Sequence, residues 1–264
     1  MKSQSIQFVL LAALTVATAL WDMPATAGYI FVTNYGNGTV GEYTTEGATV
    51  NATLISGLSG PTGIAVSGGN LFVVNNGNGT IGEYTTDGAT MNAALISGLN
   101  NPWCVAESGG NLFVTNNGNG TIGKYTTEGA TVNATLISGV NTPAGIAVSG
   151  GNLFVMSVDR GWIGKYTTEG ATVNPTLITG LYESFGVTVF GGNVFSTNVS
   201  NGTIREDTIG GTPVNVALVS GLNQPWGSTV VVPEPSTIVL LASALMLIGG
   251  MRFLRWRPRA RIAP

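Results

Sequence analysis

Glu107 and a spaced series of large aromatics are the residues of this chain whose type and placement could do chemistry. Glu107 stands in the repeat position that holds Val66, Val148, Val189 and Val230 elsewhere. A carboxylate replacing valine on an inner strand costs on the order of several kcal/mol unless it is paired or solvated. It either faces a central channel as a ligand or base, or turns to water at a strand end. The aromatics belong to one slot that reads Thr62, Trp103, Ala144, Phe185 and Trp226. Flat rings at Trp103, Phe185 and Trp226 can stack on the apolar faces of sugars while their edges stay wet. The same rings can instead fill a narrow channel. A third contact is Trp162, which closes the segment Ser157-Val158-Asp159-Arg160-Gly161 where other copies carry an Asn-Gly loop.

What is missing narrows the chemistry. Histidine is absent and Cys104 is the one cysteine. Histidine-based triads, zinc sites of His or Cys₄ type and disulfides within the chain are excluded. Cys104 takes a slot occupied by Gly63, Gly145, Gly186 and Gly227, which reads as a small half-buried replacement for glycine. The acids Glu46, Asp87, Glu128 and Glu169 recur in a Thr-Thr-Glu/Asp-Gly turn, as duplication of a solvated turn produces, and the slot Glu42, Glu83, Lys124, Lys165, Glu206 reads as an exposed face. No catalytic residue and no metal ligand is assigned on these grounds.

The elements that position these residues follow from an internal period. Phe31, Phe72, Phe113, Phe154 and Phe195 recur every 41 residues, as do Gly57, Gly98, Gly139, Gly180 and Gly221. Five such periods occupy residues 28–232. In the second copy, alternating apolar segments over Gly63 to Val66, Leu71 to Asn75, Thr80 to Thr85 and Asn92 to Ser97 are separated by Gly-Gly, Asn-Gly and Asp-Gly turns. Each period is therefore a four-stranded antiparallel meander. One such sheet cannot bury both faces alone, so copies stack face to face, and radial stacking gives an all-β, five-bladed propeller. The first copy lacks the strand that opens the others, and an orphan version follows the last copy at Pro225-Trp226-Gly227-Ser228-Thr229-Val230. A strand over about 226 to 232 is predicted to complete the first blade and close the ring.

The run Asn70-Leu71-Phe72-Val73-Val74-Asn75-Asn76-Gly77-Asn78-Gly79-Thr80-Ile81, preceded by Pro61-x-Gly63-Ile64-Ala65-Val66, resembles the NHL and YVTN propeller repeats. The resemblance implies the propeller fold and leaves activity open, because those families include ligand-binding scaffolds, lactonases and lyases. Gluconolactonase-type propellers hold calcium in the channel. A calcium site here would have to draw on Glu107 with Asn34, Asn75, Asn116 and Asn198.

Both ends read as targeting elements. Lys2, an apolar stretch from Phe8 to Leu20 and small residues at Ala25 and Ala27 predict a signal peptide over residues 1–27. Residues 233–264 carry Pro233-Glu234-Pro235, a hydrophobic stretch from about Thr237 to Leu254, and Arg252, Arg255, Arg257, Arg259 and Arg261. As a helix the stretch spans about 27 Å, close to a bilayer core of about 30 Å, with the arginine flank cytoplasmic. This order resembles the PEP-CTERM sorting signals of Gram-negative bacteria. It implies an exosortase-type partner, processing near Pro233 to Pro235, and a location at the cell surface or in an extracellular matrix.

Between these ends, four cations face eleven anions, a formal balance of −7 against −3 for the whole chain. That surface excludes nucleic acid as a partner, since phosphate binding needs clustered Lys and Arg. The function expected at this point is a non-enzymatic binding or scaffold protein, with an extracellular polysaccharide or surface protein as partner and no obligatory cofactor. A calcium-dependent, lactonase-like hydrolase is the alternative.

Overall fold

The computed structural model describes residues 28–181, 183–223 and 225. Five antiparallel meanders follow one another along the chain. The first blade holds β1 (Tyr29–Asn34), β2 (Thr39–Thr44) and β3 (Thr49–Ile55). The second holds β4 (Pro61–Ser67), β5 (Asn70–Asn75), β6 (Thr80–Thr85) and β7 (Thr90–Ile96). In the third are β8 (Pro102–Ser108), β9 (Asn111–Asn116), β10 (Thr121–Thr126) and β11 (Thr131–Ile137). The fourth comprises β12 (Pro143–Ser149), β13 (Asn152–Ser157), β14 (Trp162–Thr167) and β15 (Thr172–Thr179). The fifth comprises β16 (Ser184–Phe190), β17 (Asn193–Asn198), β18 (Thr203–Thr208) and β19 (Pro213–Val219). This is the five-bladed propeller that the period predicts. The first blade shows three strands among the described residues. The closing strand expected at 226–232, the signal peptide and the sorting segment lie outside them.

No blade has a core of its own. Phe72, Val74, Ile81 and Ile96 of the second blade pack on Val105, Leu112, Val114 and Tyr125 of the third. The same seam recurs between the third and fourth blades around Phe113 and Leu153, between the fourth and fifth around Phe154 and Val194, and between the first and second around Val40 and Leu71. Alternation along β5 explains the pattern: Leu71 and Val73 face the preceding blade, Phe72 and Val74 the following one. The second, third and fourth sheets are thereby covered on both faces by their siblings.

Inner strands of successive blades run side by side, β4 against β8, β8 against β12 and β12 against β16. Glycine permits the approach. A Cβ on Gly63 would lie 2.6 Å from the Cys104 Cα, and one on Gly145 would collide with the Phe185 carbonyl oxygen. The outer strands are mostly exposed. In each of them a bulge is pinned by an asparagine, Asn51, Asn92, Asn133, Asn174 or Asn215, whose Oδ1 accepts the N–H two residues on at 3.0–3.1 Å. Bulged, twisted edges resist pairing with another chain.

Candidate functional site

The end of the propeller where the inner strands begin, here the upper end, collects the positions at which the five copies differ. The residue that leads into each inner strand has a left-handed backbone: Gly60 at φ 57°, Asn101 at 51°, Thr142 at 42° and Glu183 at 53°. Glycine and asparagine tolerate this region; threonine and glutamate do so under strain. One hydrogen bond recurs in these four copies. The carbonyls of Gly60, Asn101, Thr142 and Glu183 accept the N–H of Asn76, Asn117, Val158 and Val199 at 3.0–3.2 Å. Side chains then tie one blade to the next: Asn76 Nδ2 donates to the Pro102 carbonyl at 2.8 Å, and Thr115 Oγ1 to the Ala144 carbonyl at 2.8 Å.

On this frame two of the singled-out aromatics meet. The rings of Trp103 and Phe185 lie 6.1 Å apart between centroids and tilted by 32°. They come from the third and fifth blades, and the equivalent slot of the intervening fourth blade holds the small, buried Ala144. Both rings stay half-buried. Beside them Glu183 is exposed, and Ser184, in the slot where other copies have proline, keeps a fully buried Oγ with no hydrogen bond. Trp162 is at the same end, two strands further out, since Pro143 pairs with Ser157 and Ser157 with Trp162. That offset is about 10 Å at the usual strand spacing. The Arg160 guanidinium lies 5.9 Å from the Trp162 ring centroid.

Glu107 is not brought to this group. It pairs with Leu112 near the lower end of β8, four residues and about 13 Å from Trp103 along the strand. Its Oε1 accepts the Gly110 N–H at 2.9 Å within its own turn. Asn116 is opposite Pro102 at the upper end, so Glu107 and the asparagine series do not form one ligand set. Among the described residues no group of three or more acidic, cysteine or histidine side chains could hold a metal ion. Burial pushes the Cys104 thiol up, against the opposing effect of hydrogen bonds with the Ile146 and Val105 backbone, which leaves the neutral thiol at physiological pH. Trp226, Pro233, Glu234 and Pro235 lie outside the described residues.

The left-handed lead-in escaped the sequence reading. Gly60 was its one visible signal, because Asn101, Thr142 and Glu183 do not advertise the backbone they share with it.

Blade number, repeat chemistry and a mouth built from lead-in loops define a β-propeller of the NHL/YVTN type. The chain belongs to the virginiamycin B lyase family, whose model matches residues 8–244. None of the curated proteins matches it. Among solved structures, a streptogramin B lyase aligns with a TM-score of 0.62 at 19% identity, over 78% of this chain and 71% of that one. A catalytically inactive histidine-to-alanine variant of virginiamycin B lyase from Staphylococcus aureus, with quinupristin, aligns at 0.59 and 21% identity, over 78% and 72%. A gluconolactonase from Xanthomonas campestris aligns at 0.62 and 15%, over 76% of each chain. At these identities the structures speak for the fold alone. Family membership corrects the expectation of a non-enzymatic protein, because the family whose model matches is a lyase family. The lack of histidine excludes histidine-based triads but not catalysis by another base.

Proposed function

We propose that this chain is an exported lyase-family propeller whose ligand docks at the upper mouth, over Trp103 and Phe185. The contact between these two rings carries the reading, because it sets a rigid aromatic platform where the five-fold repetition is broken. Glu183 is the group placed to accept a proton from a ligand on that platform. Its left-handed backbone, whose carbonyl accepts the Val199 N–H, sets the residue at the mouth two positions before Phe185. With no histidine in the sequence, this protein has no counterpart of the histidine whose replacement leaves the relative catalytically inactive, and Glu183 is the base it would use instead.

Export rests on the sequence. The signal peptide over residues 1–27 delivers the propeller across the inner membrane, and an exosortase-type enzyme processes it near Pro233, Glu234 and Pro235. An extracellular polysaccharide or surface protein then supplies the ring-bearing or sugar-like ligand.

The test combines tryptophan fluorescence with a product assay on quinupristin and a glycan panel. A compound that binds saturably is expected to lose at least about tenfold in affinity in Trp103→Ala. Its turnover is expected to disappear in Glu183→Gln while binding persists. Affinity indifferent to Trp103→Ala, or turnover indifferent to Glu183→Gln, overturns the respective half of the proposal.

A further inference from the structure

A second site, at the lower end and independent of the mouth, emerges from comparing one seam between blades with the next. In every blade the phenylalanine of the repeat faces a charged residue on the neighbouring strand: Phe31 and Glu42, Phe72 and Glu83, Phe113 and Lys124, Phe154 and Lys165, Phe195 and Glu206. Where this residue is lysine, its ammonium has a defined seat. Lys124 Nζ lies 5.7 Å from the Phe113 ring centroid and donates to the Thr168 carbonyl at 3.2 Å and to Glu169 Oε1 at 3.0 Å, both in the turn of the following blade. Lys165 Nζ repeats the placement, 5.5 Å from the Phe154 centroid and 3.4 Å from the Ile209 carbonyl. Two seams thus mark the same position for a cation: over an aromatic face, against a turn carbonyl, beside an acid where one is present.

At the seam between the second and third blades the surroundings persist but the lysine does not. A cavity of about 420 Å³ opens there, with Asn70, Phe72, Glu83, Leu95, Thr127 and Glu128 among its walls. Thr127 and Glu128 are the repeat equivalents of Thr168 and Glu169, the partners of Lys124. Glu83 replaces the lysine itself, and its carboxylate is held by Asn70 Nδ2 at 2.7 Å. The asparagine follows the charge of its slot, for Asn193 does the same to Glu206, whereas Asn111 and Asn152, in the blades that carry the lysines, donate to backbone carbonyls instead. The turn hydroxyl of Thr126, the backbone amide and Thr127 hold Glu128 below the usual carboxylate range, so it is charged at neutral pH. The seam therefore offers the seat of an ammonium, with two carboxylates around it.

We propose that this cavity binds a primary alkylammonium, such as a lysine side chain of a partner or a polyamine end. The head would take the position that Lys124 Nζ occupies one seam further on, and the alkyl stem would lie along Phe72 and Leu95. Apolar walls and two carboxylates suit an organic cation better than a metal ion, which needs more oxygen ligands than this seam supplies.

Titration of the full-length protein with butylammonium chloride at constant ionic strength, followed by backbone amide shifts, tests this. Saturable shifts at Glu83, Thr127 and Glu128 are expected, about tenfold weaker in Glu128→Gln. Glu83→Lys should fill the seat with its own ammonium, abolish the shifts and melt no earlier than the parent. Shifts that fail to saturate, that sodium chloride reproduces, or that persist in Glu83→Lys overturn the proposal. Equal displacement by calcium chloride at matched concentration would replace it with a metal site.

Discussion

Arg205 and Asp207 stand where the other blades carry glycine and tyrosine, at Gly41 and Tyr43, Gly82 and Tyr84, Gly123 and Tyr125, and Gly164 and Tyr166. In those four the phenol folds back over the glycine, so closely that a Cβ on Gly82 would lie 2.6 Å from the Tyr84 hydroxyl. In the fifth blade a two-pronged ion pair fills the same space. Arg205 Nε reaches Asp207 Oδ2 at 2.9 Å and Nη2 reaches Oδ1 at 2.7 Å, with Asp207 buried. Removing one partner strands the other, so Asp207→Ala should cost about 3 kcal/mol in urea unfolding, and the double change Arg205→Gly with Asp207→Tyr should recover most of it. The spacing of the pair is visible in the sequence; that ring and glycine share one volume is visible only once the strand is folded. Burial raises the phenols of Tyr84, Tyr125 and Tyr166, with a hydrogen bond from Asn75 opposing it at Tyr84. The fold therefore prefers these groups protonated. Their contribution to stability is complete below the ordinary phenol value of about 10 and is lost as pH rises through the higher folded values. Urea midpoints measured from pH 8 upward should hold steady and then fall beyond about pH 10, in step with tyrosinate absorbance.

At the scale of the element, the blades are locked by glycines in the Thr-Thr-Glu/Asp-Gly turns. Gly129 has φ 88°, and a Cβ there would lie 2.6 Å from the Leu95 carbonyl oxygen of the preceding blade. Gly88 and Gly170 repeat the contact on Leu54 and Leu136 at 2.5 Å and 2.6 Å. Gly129→Ala therefore meets both an unfavourable backbone and a neighbour that cannot move without shifting a strand. It should destabilise by about 1–3 kcal/mol in thermal or urea unfolding, against near-neutrality for the same change at Gly36, where nothing lies within 4 Å and φ is not positive. The four strands per repeat were legible because Asn-Gly, Gly-Gly and Asp-Gly turns interrupt alternating apolar runs. Boundaries were less so. The inner strand begins at Pro61, before the Gly63 that the sequence pattern suggested, because a strand's first residue needs no N–H donor; the outer strand begins at Thr90 and carries a bulge that periodicity cannot reveal.

Across the whole molecule, repetition and its failures divide the labour. Seams between blades repeat almost unchanged and hold the sheets together; the upper mouth departs from repetition at the lead-in, at the aromatic slot and in the fourth blade's Asp159-Arg160 loop. Aligning the copies exposed the aromatic slot, so that part of the site was legible. The meeting of Trp103 and Phe185 was not, since it depends on the small Ala144 between them and on how far the inner strands approach. Glu107 attracted notice as a carboxylate in a valine slot, yet that slot lies at the lower strand end, where Val66 is itself exposed. The most direct measurement is a crystal structure of the protein with the tightest compound from the fluorescence screen. The compound is expected across the Trp103 and Phe185 rings with a polar group within hydrogen-bond reach of Glu183. Density for it at the lower end or on the outer strands, with the two rings unoccupied, would contradict the account.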